Sequence, residues 1–166
     1  MAYQRERVHE VHRYGSAMGW FGHIRRLHIP EQPARSEGTF AYKLWRRHVA
    51  HLENEAINFR IQNAASYVTG LAMLDCESDI LQHYGLRHVN YHAALANNKS
   101  LELKMPLLIG EVHDDLVFDC PKKEVRNAQR LIKDAMTGLV SLRKLKPEFD
   151  ITVNVSQSAG SHWGTK

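Results

Sequence analysis

Two apolar runs meet at an acidic corner in the stretch Leu107-Leu108-Ile109-Gly110-Glu111-Val112-His113-Asp114-Asp115-Leu116-Val117-Phe118, which constrains the fold more than any other. The runs are short and bounded by polar residues, so they read as the two strands of one antiparallel hairpin. Carboxylates raised on the turn of a buried hairpin are costly to desolvate unless a positive charge meets them. A divalent metal is the usual partner, because Mg²⁺ takes hard oxygen ligands and keeps open positions for substrate phosphates. A solvated turn between ordinary strands is the alternative, and Asp-Asp by itself does not separate the two.

The distribution of charge adds to this. Residues 1–50 hold Arg5, Arg7, Arg13, Arg25, Arg26, Arg35, Lys43, Arg46 and Arg47 against Glu6, Glu10, Glu31 and Glu37, within a chain of net charge +4. A basic half beside an acidic turn fits a polyanion placed over a metal, and nucleic acid is the commonest such ligand. A solvated basic face would give the same composition. The chain's 166 residues, 43% of them hydrophobic, suffice for one domain with a real core. Cys76 and Cys120 are far apart and form no zinc or CxxC pattern. With no signal peptide and no run long enough to span a bilayer, the expected location is cytoplasmic, away from membranes, with reduced thiols.

Along the chain, residues 2–13 read as a charged helix, and three glycines between Gly15 and Gly22 break it into a short hairpin. Two prolines and a glycine make residues 30–38 a loop. A helix is expected from Thr39 to His51, with Phe40, Leu44, Trp45, Val49 and Leu52 on one side. A second follows, from Asn54 or Asn63 to His83, with Ile57, Ile61, Ala65, Val68 and Ala72 as its apolar stripe. Beside that stripe, Asn54, Asn58, Gln62 and Ser66 fall at four-residue steps. Carboxamides in a row are an unusual exposed face, which commonly carries Lys and Glu. Glu53, Glu55, Asp75, Glu77 and Asp79 read as solvated acids. Pro121 suits the first turn of a further helix, and the alternation of Phe149, Ile151, Val153 and Val155 predicts a strand over 148–156. The resulting class is α+β. Its parts are residues 1–52, a basic segment and helix; 53–84, the long helix; 85–106, an irregular connector or insertion; and 107–166, the hairpin, a helix and a strand.

Taken together, the motifs resemble the C-terminal palm portion of family A, polymerase I-like DNA polymerases, of the kind also found in bacteriophages. Residues 112–118 resemble the family's motif C, VHDELVF, with Asp115 in place of Glu. Residues 56–65 resemble the AINxxxQGxA run of its long palm helix, with Asn63 where Gly is common. Residues 15–26 are similar to the GYVETLFGRRR segment after the fingers, with His23 at the first Arg, and Gly160 and Trp163 are similar to a terminal GxxW.

The resemblance implies a part of a DNA-directed DNA polymerase, a nucleotidyltransferase. It implies Asp114 as a metal ligand, with Asp115 and His113 beside it near the primer terminus. Asn58 and Gln62 would face the template-primer DNA, with Asn54 at a position where many members have Arg, and Arg25 and Arg26 in the arginine-rich run. Amides suit the minor-groove acceptors that every base pair presents in similar places. Phosphoryl transfer by two metals needs carboxylates from two strands. No motif A segment of the DYSQIELR type and no fingers helix occur in these residues. A second polypeptide carrying both is therefore the expected partner, a deoxynucleoside triphosphate the substrate of the completed complex, and the chain is expected to be inactive alone. A non-catalytic DNA-binding or interaction module derived from a polymerase is the alternative.

Overall fold

Between Gly38 and Gly70 the sequence contains neither glycine nor proline, and nothing else interrupts a helical backbone there. A computed structural model accordingly forms one helix over the whole segment Gly38–His83. The structure describes residues 2–86, 104–112, 115–148 and 151–161. The chain divides into two compact units, Met1–Tyr67 and Val68–Lys166, and this long helix contributes to both.

In the first unit, α1 (Ala2–Tyr14) ends at Gly15, whose φ of +63° is the left-handed conformation glycine adopts at helix ends. The Gly15 amide donates to the Val11 carbonyl at 2.8 Å, and its own carbonyl accepts from Leu27 at 2.8 Å. The chain then turns into the hairpin of β1 (Ser16–Met18) and β2 (Ile24–Arg26), with Ser16 opposite Arg26 and Met18 opposite Ile24. A 3₁₀ turn, Arg35–Glu37, leads into α2 (Gly38–His83). Val11, Ala17, Leu27, Leu52 and Ala56 form the core, with Ile29 and Phe59 against it. Polar ties reinforce this packing. Tyr3 donates to the Ile57 carbonyl at 3.1 Å, Trp45 Nε1 to the Pro30 carbonyl at 2.9 Å, and His12 Nε2 lies 2.8 Å from Glu53. Buried Arg7 pairs with Glu6 and Glu10, and Glu10 also accepts from the Met18 amide, linking α1 to the hairpin.

In the second unit, the last turns of α2 pack Cys76 and Ile80 against Met105 and against Ala128, Ile132 and Ala135 of α3 (Val125–Gly138). The hairpin of β3 (Leu107–Val112) and β4 (Asp115–Asp119) covers this core with Leu107, Leu116 and Phe118. Its register pairs Leu108 with Phe118 and Gly110 with Val117, so Ile109 is the extra residue of a bulge. Ile109 is accordingly 62% exposed. Pro121 opens the turn that precedes α3, its carbonyl accepting from Glu124 at 2.7 Å. After α3, Leu139 takes a left-handed conformation (φ 46°) and starts α4 (Val140–Leu145). Leu139 is fully buried, so packing holds a conformation that a leucine rarely adopts.

The α+β class stands, with antiparallel hairpins and helices. Three expectations do not. The two helices drawn from the periodicity are one, because no glycine or proline between residues 39 and 69 gives the backbone a reason to stop. Phe40, Leu44 and Ile61 are 80%, 57% and 59% exposed, whereas the buried side of α2 runs through Val49, Leu52 and Ala56 and then through Leu71, Ala72, Cys76 and Ile80. Residues 151–156 are not a strand, although Ile151, Val153 and Val155 are half-buried between exposed neighbours. No second strand pairs with them among the described residues. Phe149 and Trp163 lie outside the described residues, as does 87–103 of the connector. Among the described residues no helix is long and apolar enough to cross a membrane.

Candidate nucleic-acid interface

The carboxamide row is built by the helix period. Residues four apart on an α-helix lie above one another with a small angular drift, so burying Leu52, Ala56 and Phe59 leaves the opposite side outward. Asn54, Asn58, Gln62 and Ser66 are all exposed, on a line that starts opposite that core at Asn54 and drifts about 40° per step toward its flank. From Asn54 to Gln62 the row spans about 12 Å at 1.5 Å per residue. Each amide offers both donors and an acceptor, without the charge that would restrict it to one kind of partner.

The hairpin is fastened to the same helix. Arg25 of β2 forms an ion pair with Glu55 and lies 5.9 Å from the Phe59 ring, which brings its strand beside the amide row. Arg26, opposite Ser16, is exposed. The hairpin tip docks through contacts that sequence reasoning missed. The Arg60 guanidinium stands 3.8 Å over the Trp20 ring, and Phe21 stacks on Tyr67 with centroids 4.0 Å apart. Gly19 packs so closely on the helix that a Cβ there would sit 2.2 Å from Asn63 Oδ1. The available signal was Trp20-Phe21 between two glycines, an apolar tip on an otherwise polar turn.

In the second unit, Asp115 begins β4 opposite Val112 and is exposed. Its neighbour Leu116 packs on the core, and side chains alternate along a strand, so Asp115 belongs to the outer face. Glu111, opposite Leu116, is exposed too. His113 and Asp114 lie outside the described residues. Among the described residues no three acids, histidines or cysteines converge in a way that could hold a metal ion. Asp115 is a suitable hard-oxygen donor, but by itself it is not a metal centre.

Three of the acids expected to be solvated, Glu53, Glu55 and Asp75, have partners. Glu53 and Glu55 pair as above. Asp75, expected to be solvated, is 7% exposed and accepts from both the amide, at 3.0 Å, and the hydroxyl of Ser141. It caps α4 and takes no part in a site. Burial, then the charges of Asp75 and Asp134, raises the Asp79 carboxyl above its ordinary range. Burial, with Asp79 and Asp75 nearby, pushes the Cys76 thiol up to about 12, so it is a packing residue and not a nucleophile. Burial and a hydrogen bond donated to Glu124 push the Tyr84 hydroxyl up to about 12.

Comparison with known proteins gives the chain's family. Residues 1–165 match the family model for DNA polymerase family A. The chain is 25% identical to DNA polymerase I of Bacillus subtilis (strain 168) over 139 residues, 84% of this chain and 12% of that protein. It is 30% identical to DNA polymerase I of Chloroflexus aurantiacus over 114 residues, 69% of this chain and 9% of that protein. Among solved structures it is similar to the POL domain of Pol1 from M. smegmatis in complex with DNA primer-template and dNTP. That likeness has a TM-score of 0.48 and 20% identity, over 83% of this chain and 19% of the other. The chain thus spans about a tenth of the length of the curated relatives it matches. With its family model matched across nearly every residue, the chain belongs to DNA polymerase family A.

Proposed function

We propose that these residues are the primer-template-holding, motif C-bearing part of a DNA-directed DNA polymerase. The observation that carries this reading is the exposed row Asn54, Asn58 and Gln62 on a helix whose other side is buried, in a chain of this family. A polymerase must hold any correctly paired primer end. Neutral amides directed at acceptors common to all base pairs grip without reading sequence. Arg25 and Arg26 lie on the strand beside that row and supply charge for phosphates. Asp114 is the carboxylate that would hold Mg²⁺, with His113 and Asp115, the first residue of β4, on either side of it in sequence. When bound, such ions activate the primer 3′-hydroxyl and stabilise the leaving pyrophosphate. The complementary motif A carboxylate and the fingers that grip the deoxynucleoside triphosphate lie outside these 166 residues, and a second polypeptide would supply them.

Primer-template binding by the chain tests the amide row. Gln62→Ala and Asn58→Ala remove no core volume, since both residues are exposed. Each should weaken binding by roughly 1–3 kcal/mol with little sequence preference. Affinities equal to wild type for both variants would leave the row as an inert solvated face and sink the reading.

A further inference from the structure

The side of α2 that carries the amides does not end at Asn54. Phe40 and Asn58 are eighteen positions apart, about five helical turns, and so are Leu44 and Gln62, Lys43 and Ile61, and Arg47 and Ala65. These residues therefore share one side of the helix, and all of them are exposed. The inner side of the same turns is engaged: Trp45 bonds the Pro30 carbonyl and Val49 is fully buried.

Two properties distinguish the extension from the amide row. It is apolar at its centre, with Phe40 80% and Leu44 57% exposed. Its own charges are all cationic, because residues 38–52 contain Lys43, Arg46, Arg47, His48 and His51 and no carboxylate, and the flanking acids Glu37 and Glu53 bond the Ala34 amide and His12. An apolar face meant for a protein partner is commonly rimmed by charges of both signs. Aromatic and aliphatic surface set among cations alone matches a strand whose bases stack and whose phosphates pair. Duplex DNA fits less well. The offset between the two halves of the stripe is about 27 Å, or about eight base pairs, over which a minor groove winds most of the way round the duplex. A helix with Asn58 and Gln62 in that groove cannot keep Phe40 in it, and the phosphate rail of a duplex offers nothing apolar to a phenyl ring.

We propose that the Phe40, Leu44, Lys43, Arg47 and His51 face of α2 is a binding surface for single-stranded DNA, continuous with the amide row that holds the paired end. The proposal rests on the nucleic-acid reading above for its exclusion of duplex DNA, while its own test at Phe40 and Leu44 touches neither the amides nor the Asp114 corner.

The test measures binding of the full chain to labelled oligothymidylate and to a blunt duplex across a salt series. The double variant Phe40→Ala/Leu44→Ala, which removes only exposed side chains, should lose about tenfold or more in affinity for oligothymidylate, with duplex affinity and thermal midpoint unchanged. The pair Lys43→Gln/Arg47→Gln should flatten the logarithmic salt dependence by about 1.4, the release expected for two phosphate contacts on a single strand. Undiminished oligothymidylate binding by Phe40→Ala/Leu44→Ala would overturn the proposal. So would loss of self-association, or of binding to a polypeptide bearing the fingers, in place of DNA. Gln62→Ala on a primer-template is the separate control. No effect there, together with a loss at Phe40, would reject the amide reading and leave this one standing.

Discussion

Gly19 carries no side chain at a point where α2 comes close enough for any Cβ to meet the Asn63 carboxamide at 2.2 Å. Gly19→Ala must push that amide aside, and overpacking of this kind costs about 1–3 kcal/mol. In an Asn63→Ala background the obstacle is gone. Gly19→Ala should then be nearly neutral in a denaturant melt, and an undiminished cost there would place the strain elsewhere. Asp79 gives a second test at this scale. Its raised carboxyl binds a proton more tightly folded than unfolded, so its contribution to stability is present below the ordinary carboxylate range and is lost as pH rises through the folded value. Asp79→Asn should therefore stabilise the chain at neutral pH, with the gain shrinking on acidification. A loss of stability at pH 7 would mean that the carboxylate has a favourable partner.

Elements were legible where local chemistry decides them. The Gly15 helix end, the 15–26 and 107–118 hairpins and α1 follow from glycines and apolar runs that admit few alternatives. The long helix was legible in composition but not in extent, because its apolar residues shift from one stripe to another near residue 52, and that shift reads as a break. Periodicity also misplaced its burial. Apolar residues recur on two sides of α2, and spacing reports that a stripe exists without reporting which stripe meets a partner. Leu52 and Ala56 found the hairpin and α1, and Phe40, Leu44 and Ile61 stayed exposed. The 148–156 alternation failed for a related reason: a strand needs a neighbour, which a single segment cannot specify. Asn54→Pro measures the continuity of α2. Inside an unbroken helix it costs about 3 kcal/mol or more, whereas at the start of a separate helix proline is tolerated. A nearly unchanged melting midpoint would restore the two-helix description.

For the molecule as a whole, the amide row was legible in the sequence because its four-residue spacing is a helix property and needs no tertiary partner. The docking of the hairpin tip through Trp20, Phe21, Arg60 and Tyr67 was not, since those contacts join segments some forty residues apart. A polymerase role for this chain rests on two separable duties, holding the primer end and presenting the Asp114 carboxylate. Two-metal chemistry needs acids from a second strand, so the purified chain should not extend a primer. Mixing with a polypeptide that carries motif A and the fingers should restore extension. The decisive measurement is primer extension by that mixture with Asp114→Asn, which keeps the side chain's size and removes its charge. Turnover should collapse while primer-template affinity stays at the wild-type level. Extension at a near-normal rate with Asp114→Asn would contradict the assignment of the acidic corner and, with it, the catalytic role of the chain.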